Sequence, residues 1–235
     1  MINIFLSVLV FLLISAGSLT AGEVFLDEEF TSLDRWEPFH FSNIENHSSY
    51  SLVSFEGRSA LKGVANNSAS AMLLKRWFNV YEYPLLAWRF QVSNIYKKGD
   101  ARKKDGDDYP VRLYVMFKYD PAKASFAEKI QYELAKALDG KYPPHSSLNY
   151  IWANREQAAD SIISPYSSRS LMIPMVKGGK LVGTWVEHRT NIVEDYKKAF
   201  GESPPVMAKI AVMSDADNTG ESATAYIDYI RIMHE

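Results

Sequence analysis

Three acids in four positions, Asp105, Asp107 and Asp108, stand just before a strand-like run, and a second acidic turn, Asp215-Ala216-Asp217-Asn218-Thr219-Gly220, lies far along the chain. Carboxylates at the first and third positions of a turn with glycine at the sixth form the opening half of a calcium loop, because a hard cation takes oxygen ligands. An EF-hand also needs a bidentate Glu at the twelfth position. That position is Tyr226, so an EF-hand is excluded. A simpler β-sandwich calcium site using Asp215, Asp217 and Asn218 is one reading of the turn. The other is an Asx-rich turn whose side chains hydrogen-bond their own backbone. The acids at 105–108 can join a metal site, pair with Arg89 or Arg112, or hold a solvated turn. An antiparallel sheet would put Arg89 and Arg112 on one face, and adjacent guanidinium groups demand acidic partners, so an ion pair with Asp107 or Asp108 is favoured.

A second set of residues suits the recognition of a polar ligand. Trp185, Glu187 and Arg189 fall on one face of a strand, with Val186 and His188 on the other. An indole stacks on a sugar ring while charged groups fix its hydroxyls; the same three residues also suit an ordinary surface pair beside an aromatic. Leu148, Tyr150, Trp152 and Asn154 line another strand face. Leu148 and Tyr150 read as core, whereas Trp152 and Asn154, nearest the strand end, read as ligand contacts. Arg89, Arg112 and Tyr114 complete the candidate polar face. Five scattered histidines lack zinc-site spacing, there is no nucleophile elbow or phosphate loop, and the absence of cysteine excludes thiol chemistry.

The elements that must position these groups are strands. Val111, Leu113, Val115, Phe117 and Tyr119 alternate with Arg112, Tyr114, Met116 and Lys118, the period-2 signature of a strand with one face in a core. Leu86, Trp88, Phe90 and Val92 alternate likewise with Ala87, Arg89 and Gln91. Glu56-Gly57-Arg58 and Gly178-Gly179 each signal a hairpin. Two stretches break the rhythm. Phe126, Ile130, Leu134 and Ala137/Leu138 recur at helical spacing, with a capping box at Ser125 and Glu128 and a stop at Gly140. Ile192–Phe200 is the second expected helix, capped by Asn191 and ended by Gly201. About ten short strands with two helical insertions predict an antiparallel β-sandwich, jelly-roll-like (concanavalin/galactose-binding-like), formed by residues 22–235 as one domain.

With 235 residues, 47% of them hydrophobic, the chain can bury about 70% of its unfolded surface. A net charge of −2 argues against a nucleic-acid partner, which needs a basic stripe. The one basic cluster, Lys97 to Lys104, is interrupted by Asp100 and reads as a solvated loop. Residues 1–21 carry no charge and include the apolar run 2–16, the shape of a signal peptide rather than of a membrane span. The expectation is a periplasmic or secreted protein with no stable membrane insertion after cleavage; an uncleaved N-terminal anchor is the alternative.

Several stretches together resemble the bacterial domain-of-unknown-function 3047 family. They are Gly106–Tyr109, Asn149–Asn154, Ser164-Pro165-Tyr166, the run from Trp185 through Glu187, Arg189, Asp195-Tyr196, Phe200-Gly201 and Pro204-Pro205, and Asp215–Thr219. The resemblance implies an exported bacterial β-sandwich and brings no catalytic role with it. Three functions follow for such a chain. The first is a non-catalytic binding module for a glycan or other polar ligand, with calcium as a candidate cofactor. The second is a glycan-active hydrolase or lyase whose two carboxylates come from separate strands, such as Glu187 with Asp107 or Asp215. The third is an envelope structural or protein-interaction domain.

Overall fold

The computed structural model describes residues 24–122, 124, 126–139 and 142–235. The expected leader at 1–21, and Ser125 and Gly140 of the first expected helix, lie outside the described residues. In chain order the strands β1 (Val24–Glu28), β2 (Trp36–Phe39), β3 (Ser49–Phe55), β4 (Arg58–Asn66), β5 (Ala69–Leu74), β6 (Phe78–Asn79) and β7 (Leu85–Val92) precede a 3-10 turn at Lys104–Gly106. Strand β8 (Arg112–Phe117) leads to helix α1 (Phe126–Asp139), then to β9 (Ser146–Ala153), β10 (Ile162–Ser164), β11 (Ser167–Lys177) and β12 (Val186–Asn191). Helix α2 (Ile192–Phe200), β13 (Met207–Asp215) and β14 (Ser222–Met233) close the chain.

These strands form two sheets. One runs β12-β7-β14-β4-β3 with β1 added on β14; the other runs β10-β11-β9-β8-β13-β5-β2 with β6 added on β13. The apolar set of each alternating strand faces the other sheet. Leu113, Val115 and Phe117 of β8, Leu148, Tyr150 and Trp152 of β9, and Leu86, Trp88, Phe90 and Val92 of β7 belong to one continuous core. Trp88 stacks on Phe90 at 4.0 Å between ring centroids, and Phe90 meets Trp152 edge-on at 6.0 Å. Each such side chain contributes about 1.5–3 kcal/mol on burial. The result is the expected jelly-roll-like sandwich, mainly antiparallel.

Local signals account for several connections. At the β3–β4 hairpin Phe55 pairs with Arg58, and both loop residues, Glu56 and Gly57, have positive φ (51° and 78°), as a twist-matched two-residue turn requires. In α2 the Asn191 side chain accepts from the N–H groups of Val193 and Glu194, and Gly201 closes the helix at φ 69°.

Two expectations need correction. Gly178-Gly179 is not a hairpin: β11 already has β9 on one side and β10 on the other, so β12 has no edge to take there and crosses to the opposite sheet beside β7. The Gly183 N–H donates to Val92 O on the way (3.0 Å). Secondly, β9 and β11 run parallel, because β10 serves as the return strand outside β11. In α1, Phe126 is 80% exposed and Ile130 is also exposed. That helix rests Tyr132 flat on Tyr119, with ring centroids 3.7 Å apart. No helix among the described residues is long and apolar enough to cross a membrane.

Candidate functional site

The two acidic stretches read from the sequence meet at one end of the β8–β13 pair. Loop 94–108 must fold back to reach that end, and it does so through its own backbone. Asp100 N–H donates to Gly106 O (2.8 Å), and Lys103 N–H donates back to Asp100 O (3.0 Å). A Cβ on Gly106 would stand 2.7 Å from the backbone nitrogen of Asp100, so the closure needs glycine. The Asp100 carboxylate takes the Arg102 guanidinium, whose hydrogen bonds hold it down at about 2. Past this closure Asp107 and Asp108 arrive beside Asp215, the last residue of β13.

Asp108, Asp215 and Asp217 bring one ligand oxygen each to within 4.8 Å of one another, a grouping that could hold a metal ion. Arg112 lies under it, 6% exposed, bonded to Asp215 and with Nη1 3.8 Å from Asp107. Its guanidinium is stacked between the rings of Tyr109 and Tyr114 (5.0 and 5.3 Å to the centroids). Burial alone would lower the proton affinity of Arg112, but Asp215 above all holds the guanidinium charged. For the acids the balance is the reverse. Burial pushes Asp215 well above the usual carboxylate range despite Arg112, and pushes Asp107 and Asp217 upward as well. Four carboxylates and one guanidinium leave a formal −3 on these five side chains when all are ionised, which a proton or a cation would relieve.

The donor set fits an oxygen-loving cation, with some oxygens already in use. Asp215 Oδ1 accepts from Tyr109 N–H (3.3 Å) and its Oδ2 from Arg112. Asp108 Oδ1 accepts from Asn218 Nδ2 (3.2 Å) and Oδ2 from Thr219 N–H (2.6 Å). Each carboxylate oxygen has a second lone pair, so these bonds leave room for an ion. Asn218, expected as a ligand, lies at the same cluster, where its Oδ1 accepts from the Tyr166 hydroxyl (2.7 Å). Asp108 joins the expected Asp215 and Asp217 in the group.

Other expected contacts are structural. Trp152 is fully buried, with Nε1 donating to Gly178 O (2.9 Å), and cannot meet a ligand from solvent. Asn154 links two backbones, accepting from Tyr96 N–H (2.8 Å) and donating to Asp108 O (2.7 Å). Arg89 and Arg112 do not share a face, since they belong to different sheets. Glu187 lies with Arg89 on the sheet opposite to Asp107 and Asp215, so that carboxylate pair is not assembled.

Arg89 builds a second cluster on the outer face of the six-stranded sheet. It stands between Glu187 on β12 and Tyr229 on β14, with its guanidinium 4.9 Å above the Trp185 ring. Its Nη1 reaches Asp228 at 2.6 Å, and Arg58 approaches the same oxygen at 3.6 Å. Trp185 Nε1 donates to Glu56 (2.7 Å) and its ring meets Phe55, which stacks on Tyr226 at 3.9 Å. Burial first, and then the neighbouring Glu187, push the Tyr229 hydroxyl up to about 12. Beside this cluster lies a cavity of about 330 Å³ lined by Glu29, Thr31, Arg58, Ser59, Asp228, Tyr229 and Arg231. Arg189 follows on the same strand, exposed and opposite Ala87. Asp228 was missed because it sits at the β-bulge between Ile227 and Tyr229, where alternation fails. Phe55 and Tyr226 were missed because only strand register brings them together.

The model of a family described as a protein of unknown function, DUF3047, matches residues 34–231. No curated protein matches the chain. Among solved structures, endoglucanase 3 of Trichoderma harzianum, from family GH12, is similar at 8% identity and a TM-score of 0.41, over 86% of this chain and 96% of the other. The CBM22-1 xylan-binding domain of Paenibacillus barcinonensis Xyn10C is similar at 9% identity and a TM-score of 0.37, over 92% and 97%. Tailspike protein 4 of bacteriophage CBA120, in its enzymatically active domain, is similar at 8% identity and a TM-score of 0.40; 87% of this chain is covered, but it spans only 20% of that one. Likeness of this order carries no argument about the site. The sandwich rests on this chain's own two sheets.

Proposed function

Because the chain belongs to the DUF3047 family, described only as of unknown function, we propose its role from its own geometry: an exported, non-catalytic domain that binds a polar ligand of glycan type. The observation that supports this reading is the cavity of about 330 Å³ lined by Asp228 and Tyr229, next to Arg89. Two guanidinium groups, Arg58 and Arg231, face two carboxylates, Glu29 and Asp228, so its formal charges cancel. Hydrogen-bonding groups of both kinds around the Tyr229 phenol suit a neutral, hydroxyl-rich ligand. The test is calorimetry and tryptophan fluorescence of the purified protein against neutral and acidic oligosaccharides. Saturable binding of a neutral glycan, weakened at least tenfold in Tyr229→Ala, is the expected result. Saturation unchanged by both Tyr229→Ala and Asp228→Ala would sink this site, and silence with every sugar would favour the protein-interaction reading. Export is tested by N-terminal sequencing of protein recovered from the periplasm, which should begin at Gly22.

A second reading concerns the acidic cluster, for which we infer calcium. The donors are all oxygen, the charge they bury is in excess, and calcium accepts six to eight oxygens with waters filling the remainder. Calcium would link the end of β13 to loop 94–108. Titration of chelator-treated protein should show one ion per chain, and binding should fail in Asp217→Asn.

A further inference from the structure

Tyr96 lies in the middle of loop 94–108 and is 1% exposed, yet its hydroxyl has no hydrogen-bond partner among the described residues. Its ring packs with Ala65 and Ala223 of the six-stranded sheet and with Ala216, the residue between Asp215 and Asp217. Its backbone N–H is held by Asn154, which in turn holds the carbonyl of Asp108. Burial first, then the carboxylates of Asp215 and Asp108, push its ionisation upward, so the phenol stays neutral. A buried hydroxyl without a partner is destabilising, and phenylalanine would fill the same space without that penalty. The loop is also tied directly to the turn: Lys97 and Lys98 N–H groups donate to Glu221 (3.1 and 2.8 Å), and Lys98 Nζ donates to Thr219 O (2.9 Å).

We propose that the Tyr96 hydroxyl belongs to the cation site, where its oxygen accepts a hydrogen bond from a water of the ion's shell, and that the ion thereby locks loop 94–108 onto the 215–221 turn. This rests on the calcium reading of Asp108, Asp215 and Asp217. An ion held by three protein carboxylates keeps several waters, and such waters are strong donors. The orphan hydroxyl, on a ring packed against Ala216 between two of those acids, is a matched acceptor. Tyr96 is then a positioning residue that acts through the ion's water, not a ligand.

The experiment compares wild type, Tyr96→Phe and Asp217→Asn as chelator-treated purified protein, by calorimetric titration with calcium chloride and by trypsin cleavage within Lys97–Lys104. Wild type should bind calcium and be cleaved at least tenfold more slowly with it. Tyr96→Phe should bind about tenfold more weakly, since partners in the outer shell of a metal typically contribute that much. The same variant without calcium should melt no lower than wild type, which separates a lost water contact from a lost fold. If wild type binds no calcium, the cation reading fails and this proposal with it. If wild type binds, Asp217→Asn does not, and Tyr96→Phe matches wild type in affinity and protection, the cation reading stands and the role of Tyr96 is overturned.

Discussion

Arg112 shows how a residue's surroundings decide what it does. On a solvated face an Arg–Asp pair is worth little, but Arg112 and Asp215 are both buried, and removing one partner leaves a charge with nothing to balance it. Arg112→Ala is therefore expected to cost about 3–5 kcal/mol in urea unfolding. A loss under 1 kcal/mol would mean that Asp215 is already protonated in the native state. His188 supplies the pH dependence. It sits opposite Trp88, 5.7 Å from the Tyr150 ring, and its Nε2 has no hydrogen-bond partner among the described residues. Burial lowers its proton affinity below the usual 6.5, with Asp195 opposing in part. The unfolded chain then binds the proton more readily, so the contribution of His188 is full above pH 6.5 and is lost as pH falls through its native value. Melting temperature should drop between pH 7 and pH 5, and the drop should shrink in His188→Gln. An identical slope in that variant would assign the effect to other groups.

At the scale of elements, loop 94–108 matters most, because it alone carries Asp107, Asp108 and Tyr96 to the end of β13. Its fold depends on Gly106, where an added methyl would meet backbone rather than a movable side chain. Gly106→Ala is expected to cost about 1–3 kcal/mol and to speed trypsin cleavage at Lys97–Lys104. If cleavage stays at the wild-type rate while stability falls, the strain has been taken up elsewhere than in the loop. Strand β12 carries the other site. By crossing to the edge of the six-stranded sheet it sets Trp185 and Glu187 beside Arg89, and had Gly178-Gly179 made a hairpin these residues would lie on the other sheet.

For the whole molecule, the two sheets share one core, so unfolding should be a single event. Far-ultraviolet circular dichroism and tryptophan fluorescence are expected to trace one coincident urea transition; separate midpoints would show two cooperative units. Much of this architecture is legible in the sequence, because strand alternation, turn chemistry and helix caps act between neighbours in the chain. The buried face of β8, the Glu56-Gly57 hairpin and the limits of α2 all follow from such local rules. The pairing of acidic stretches is only half legible. Composition marks Asp107, Asp108, Asp215 and Asp217 as a group wanting counter-charge, but alternation leaves open which sheet each strand joins, and so which arginine answers. Trp152 and Asn154 show the same limit: a strand end points to solvent only if nothing crosses it, and here Gly178 and loop 94–108 do. The sequence by itself determined the strands, their buried faces and the need to neutralise clustered carboxylates, since these are properties of short segments. Only the tertiary structure decided that Arg112 rather than Arg89 meets the acids, that Tyr96 is buried beside them and that Trp185 joins Phe55, because those contacts depend on strand order and register across residues far apart in the chain.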